Sequence, residues 1–95
     1  MILETTAIIL LVILWILYHI KKLNEKHTDE RGYERNGYGQ LIHRMVAWKC
    51  LYSYPKFPER FGSYDIHHID RNKLNNSPDN LKILTRDEHK AEHGI

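Results

Sequence analysis

The chain has 95 residues, 42% of them hydrophobic, with 14 Lys and Arg against 12 Asp and Glu and a formal net charge of +2. A balance this mild permits phosphate contacts but does not by itself predict nucleic-acid binding. The lone cysteine, Cys50, excludes an internal disulfide and a cysteine-ligated zinc cluster. There is no internal repeat.

From Ile2 to Ile20 the sequence is nearly continuous hydrocarbon, interrupted only by Glu4, Thr5 and Thr6 near one end and Tyr18 and His19 near the other. At about 1.5 Å per residue such a helix spans roughly 28 Å, the thickness of a bilayer's hydrocarbon core. It is apolar all round, so it needs lipid or a large protein core, and a chain of this length has no room for such a core. Residues 1–22 are therefore predicted to be a single transmembrane anchor, with residues 2–20 in the bilayer. Trp15, Tyr18, Lys21 and Lys22 suit one interface and Glu4 the other rim. A cleaved signal peptide fits less well, because no basic residue precedes the run and no small-residue cleavage site follows it. Basic residues follow the segment and none precede it, which predicts a single-pass protein whose C-terminal part is cytoplasmic.

The part beyond the anchor is too small for more than one domain. Residues 23–32 are polar and mixed in charge, and read as a helical stalk or a flexible linker. Around Asn36-Gly37, with Tyr33 and Tyr38 on either side, the chain carries a hairpin signal. Leu41 to Tyr52 reads as a helix, with Leu41, Met45, Trp48 and Tyr52 recurring at helical spacing as the core face and Ile42, Val46 and Leu51 widening it. Cys50, on the same apolar helix, is expected in the core. Arg44 is either solvated or a phosphate contact. Pro55 and Pro58 end the helix, and Phe57 and Phe61 are expected to plug the core.

The densest chemistry lies from Tyr64 to Gly94. Asp65 to Ile69 and Leu81 to Leu84 read as strands, and the stretch between them is rich in Asn and Asp and reads as a loop. Thr85-Arg86-Asp87-Glu88 reads as a capping box that starts a helix. On that helix His89 and His93 lie a turn apart on one face, suited to share one metal ion, and Gly94 is a natural cap. His67 and His68 point to opposite faces of a strand, which suggests one ligand and one base. With an ordinary pKa of about 6.5, an imidazole is fit to take a proton from water at neutral pH.

Asp65-Ile66-His67-His68-Ile69-Asp70, Leu74-Asn75-Asn76, Asn80-Leu81, and then His89 and His93, in this order and spacing, resemble the HNH endonucleases. Gln40 to Ala47 is similar to the helix that precedes the motif in many phage-type members. The resemblance implies an α+β fold built on a ββα-metal (His-Me) finger, with residues 33–95 as the nuclease domain and 64–94 as its motif core. It implies His67, His89 and His93 as ligands of one divalent metal ion, an all-histidine set similar to colicin-type sites. It further implies His68 as general base, Asn80 as the brace of the loop, and Asp65 as the carboxylate that orients a ligand histidine. Arg44, Arg71 and Lys73 are the candidate nucleic-acid contacts.

The expected reaction is metal-dependent hydrolysis of DNA phosphodiester bonds, by nicking, leaving 5′-phosphate and 3′-hydroxyl ends. Imidazole ligands suit Zn²⁺, Ni²⁺ or Co²⁺ by affinity, while turnover with Mg²⁺ or Mn²⁺ is also open. Two other readings remain at this point: a membrane-tethered, metal-stabilised DNA-binding protein that does not cut, and a homing- or toxin-type HNH nuclease.

Overall fold

The computed structural model describes residues 2–92. Its elements run α1 (Ile2–Asn24), β1 (His27–Thr28), β2 (Glu34–Arg35), α2 (Ile42–Cys50), β3 (Asp65–His68), β4 (Leu81–Leu84) and α3 (Arg86–Glu92). This is a small α+β arrangement of two two-stranded antiparallel sheets, β1 with β2 and β3 with β4. Helix α1 is long and apolar enough to cross a membrane, and none of its described residues is buried.

The site is built on the β3–β4 pair. Its register sets Asp65 opposite Leu84, Ile66 opposite Ile83, His67 opposite Lys82 and His68 opposite Leu81. Ile66, Leu81 and Ile83 form the core with Ala47 of α2 and Tyr64, and Val46, Leu51, Tyr52, Phe57 and Phe61 pack around them. The two phenylalanines therefore plug the core as expected. The aromatic side is also tied by hydrogen bonds: the Tyr52 hydroxyl donates to the Glu59 carbonyl at 2.6 Å, and the Tyr64 hydroxyl accepts from the Glu59 amide at 3.1 Å.

Of the expected core face, Val46, Leu51 and Tyr52 pack on the core, while Leu41, Met45 and Trp48 are turned away from it. Ala47 is fully buried and His43 is 7% exposed, whereas Trp48 is 58% exposed. Leu41, Met45 and Trp48 line an open groove on the outer side with Phe61. The small Ala47 side chain lets the helix lie close to the sheet, and close approach decides the orientation more than the size of the apolar stripe does. Cys50 is exposed as well, contrary to its expected place in the core.

The hairpin sits one turn earlier than the Asn36-Gly37 signal suggests. His27 pairs with Arg35 and Thr28 with Glu34, so part of the predicted linker is a strand. Asp29 closes this hairpin: its Oδ1 accepts from the amides of Arg31 and Tyr33, and its Oδ2 from Arg35 Nε at 2.9 Å. Gly32, at φ +89°, supplies the left-handed position of the turn. Asn36-Gly37 forms a second turn that returns the chain to a bridge between Arg35 and Leu41. Asn36 has 0% exposure. Its Oδ1 accepts from the amides of Tyr38 and Gln40, and its Nδ2 donates to Gln40 Oε1 and Met45 Sδ. A fully satisfied amide inside this turn replaces the mirror-image turn of a hairpin tip.

The second turn also receives the end of α1. The Gly37 amide donates to the Lys22 carbonyl at 2.8 Å, the rings of His19 and Tyr38 stack at 5.6 Å, and Lys22 Nζ lies 5.2 Å from the Tyr38 ring centre. A Cβ at position 37 would stand 2.6 Å from the Lys22 carbonyl oxygen. Gly37→Ala is therefore expected to undock α1 while leaving the β3–β4 core folded. The overlap costs about 1–3 kcal/mol, enough for amide exchange at position 37 and the last turn of α1 to quicken by about tenfold. Unchanged exchange in the full-length variant would refute the docked geometry.

Candidate active site

Alternation along β3 divides its side chains between two faces. On the face toward α3, Asp65 Oδ2 lies 3.0 Å from His89 Nδ1, and the His67 and His89 rings meet edge to face with centres 5.8 Å apart. The capping box of α3 is formed as expected: the Thr85 amide donates to Glu88 Oε1 at 2.9 Å and the Glu88 amide to Thr85 Oγ1 at 3.1 Å. These bonds lower the Glu88 pKa from its ordinary value, led by the Thr85 backbone. The cap fixes where α3 begins and hence how His89 faces His67. His93 and Gly94 lie outside the described residues. Among the described residues no group of three or more His, Cys, Asp or Glu is arranged to hold a metal ion.

His68 is on the other face, toward α2. Its ring centre is 5.0 Å from that of His43 and 6.1 Å from that of Tyr33, and Tyr33 stacks on His43 at 5.0 Å. His68 Nε2 is 2.8 Å from Asn76 Oδ1, and Asn76 Nδ2 donates to Glu34 Oε1 at 3.0 Å. Burial, and after it repulsion from His68, Arg44 and Arg35, pushes the His43 imidazole down to about 4.

The loop from Asp70 to Asn80 is held from within. Asn80 Oδ1 accepts from the Asp70 amide, its Nδ2 donates to Asp70 Oδ1 and to the Asn75 carbonyl, and its own carbonyl accepts from the Ile69 amide. Asn75 Nδ2 donates to Asp70 Oδ2 and the Asn72 amide to Asp70 Oδ1. Those bonds, Asn75 foremost, hold the Asp70 carboxyl below its ordinary pKa. Asn80 thus links the residues just after His68 to the start of β4.

A cavity of about 260 Å³ opens where these parts meet, lined by Tyr33, Ile66, His67, His68, Arg71, Lys73 and His89. The structure brings together here the expected base, two of the three expected ligands and two of the three expected cationic contacts. Arg71 adopts a left-handed backbone at φ 62° as the chain leaves β3. Lys73 reaches back to the first hairpin: its Nζ donates to the Arg31 carbonyl at 2.7 Å and lies 4.7 Å from the Tyr33 ring centre. Arg44 is elsewhere. Its two terminal nitrogens donate to the Tyr64 and Phe61 carbonyls at 3.1 and 3.2 Å, and its guanidinium covers the Phe61 ring. Its visible work is to clamp the chain entering β3.

Tyr33, Glu34, His43 and Asn76 are the site neighbours that sequence reasoning did not assign. For His43 the available signal was a polar residue one turn before the small Ala47. For Tyr33 and Glu34 there was none, because their contacts with His43 and Asn76 bridge distant segments.

The sequence profile of HNH endonuclease matches residues 41–91. The chain belongs to the HNH endonuclease family. Over 78 residues it is 37% identical to a Bacillus subtilis (strain 168) protein named "SPbeta prophage-derived putative HNH homing endonuclease YosQ". That alignment covers 74% of this chain and 42% of the relative, so the chain spans less than half of the relative's length. No solved structure matches the chain. In this HNH chain the α3 face sets two imidazoles, His67 and His89, beside the Asp65 carboxylate, donor types that a divalent ion takes. The contact of Asp65 with Nδ1 of His89 is the carboxylate–histidine pairing common at metal sites.

His43 gives the domain an acid-sensitive stability. Its folded pKa is about 4 against an ordinary 6.5, so between these values the unfolded chain binds the extra proton. Stability is full above about 6.5 and falls as pH drops toward about 4, by on the order of 3 kcal/mol. His43→Phe keeps a ring against Tyr33 and His68 but takes no proton. Denaturant unfolding with a chelator present should show the wild type losing that much more stability than the variant over this range. Parallel losses would refute a buried neutral His43.

Proposed function

We propose that this HNH protein is a metal-dependent endonuclease that nicks DNA from a membrane tether. The observation that carries the reading is the convergence of His67, His68, His89, Arg71 and Lys73 on one cavity. His68 takes the proton from a water that attacks phosphorus, the P–O3′ bond breaks, and the leaving 3′-oxygen takes a proton from solvent to give 5′-phosphate and 3′-hydroxyl ends. His67 and His89, with His93 as the expected third ligand, would hold a divalent ion, which when bound would supply Lewis-acid stabilisation of the charge on the phosphate. Asp65 orients His89, and Asn80 keeps the loop from moving away from His68. Arg71 and Lys73 draw in the phosphate backbone, which positions DNA without reading its sequence.

The test is nicking of supercoiled plasmid by the full-length chain in detergent, with Mg²⁺, Mn²⁺, Ni²⁺, Zn²⁺ or chelator. Cutting that needs an ion and falls by roughly 100-fold or more in His68→Ala supports the reading. A folded, metal-bound protein that cuts with none of the ions would instead favour a DNA-binding module.

The tether rests on the length and composition of α1 and on the absence of burial along its described residues. It would confine cutting to DNA near the membrane, such as an incoming phage or plasmid genome, with the nuclease part cytoplasmic. The protein should stay with the membrane fraction through carbonate extraction. Release into the supernatant would remove the tether from the proposal. The name of the Bacillus relative favours one further reading, a homing-type enzyme, which an intron or intein around the coding sequence would support.

A further inference from the structure

The hydrogen bonds around His68 carry a consequence for its chemistry. Asn76 lies between two groups, with its Oδ1 2.8 Å from His68 Nε2 and its Nδ2 3.0 Å from Glu34 Oε1. An amide alone has no preferred sense, since either end can face either neighbour. A carboxylate has one, because it only accepts. Glu34 therefore requires the NH₂ group of Asn76, and this turns the amide oxygen toward His68. An oxygen at 2.8 Å from Nε2 requires the proton on that nitrogen, which leaves the lone pair on Nδ1.

We propose that Glu34, acting through Asn76, is a positioning residue that sets the tautomer of His68 and so makes Nδ1 its proton-accepting nitrogen. The proposal rests on the reading of His68 as general base. The stack of Tyr33 and His43 fixes the plane of the His68 ring, and the Glu34–Asn76 pair fixes its edge. Both Glu34 and Tyr33 come from the hairpin that precedes the matched residues 41–91. The hairpin is thus a working part of the site, and Lys73, bonded to the Arg31 carbonyl, ties the loop of Asn76 to it.

The experiment uses zinc-loaded, full-length protein in detergent, labelled with nitrogen-15 in its histidines, at mildly alkaline pH. The difference from His68→Gln assigns the ring. The wild type is expected to show His68 protonated on Nε2 only. In Glu34→Gln the new amide can donate as well as accept, so the sense of Asn76 is released. A second, Nδ1-protonated form should appear, and kcat for nicking should fall by about tenfold, within the roughly 100- to 10,000-fold that a positioned base supplies, with KM little changed. The double variant Glu34→Gln with Asn76→Asp reverses the pair, since the carboxylate then stands next to His68 and must accept from both neighbours. It should restore the single Nε2-protonated form and most of kcat, a rescue that lost packing alone would not give.

Protonation of His68 on Nδ1 in the wild type, or an unchanged tautomer and kcat in Glu34→Gln, would overturn the proposal. The two readings fail separately. A wild type with the expected tautomer that cuts no DNA removes the nuclease reading and leaves the relay. A wild type that cuts with the other tautomer does the reverse.

Discussion

Two adjacent histidines in an extended strand must face opposite ways, and the rest of the domain is arranged around that constraint. One face of β3 meets α3, which brings His89 and Asp65 together beside His67. The other meets α2 and the first hairpin, which set the His43 and Tyr33 rings against His68, and the loop adds the Asn76 amide. A single short strand thus sends two neighbouring imidazoles into separate surroundings, and in the proposed reaction this parts metal binding from proton transfer by one residue. A register slip of one position would exchange the two roles and bury the wrong imidazole on each side. The Ile66–Ile83 pairing and the packing of Ile66 and Ile83 against Ala47 oppose that slip.

The loop between the strands has little apolar material with which to hold itself. Asn80, Asp70 and Asn75 supply the order instead, by satisfying one another and the local backbone. Backbone order costs about 1–2 kcal/mol per residue, so a polar loop stays fixed only where such bonds are dense. The order is needed because the loop carries Asn76, Arg71 and Lys73 to the cavity. The same device runs through the domain: Asp29 closes one turn, Asn36 fills another and Arg44 clamps the entry to β3. A fold with so small a hydrophobic core depends on polar staples, and a bound metal between β3 and α3 would add one more.

The junction with α1 follows the same logic. The helix does not end in a free linker. Its last turns meet the Asn36–Gly37 turn through a backbone hydrogen bond and the Tyr38 ring. That turn leads directly into α2, so the direction of α1 is coupled to the elements that hold His68. If α1 lies in a bilayer, the cavity has a set orientation to the membrane surface.

Much of the finger was legible along the chain. The two strands, the capped helix after Thr85 and the polar loop depend on local spacing, and local spacing is written in order. The apolar run that became α1 was equally plain, since nineteen residues without a polar face have few folded alternatives. Tertiary packing decided the rest. Close approach at Ala47 turned Trp48 outward, which a count of large residues misses. The first hairpin was set by the Asp29 side chain, while the more familiar Asn-Gly signal went to a second turn built around the buried Asn36. Arg44 went to two carbonyls brought near it only by the folded entry to β3. The links from Tyr33 to His43 and from Glu34 to Asn76 join segments far apart in sequence, and no local pattern encodes a contact whose partners meet only after the chain has closed.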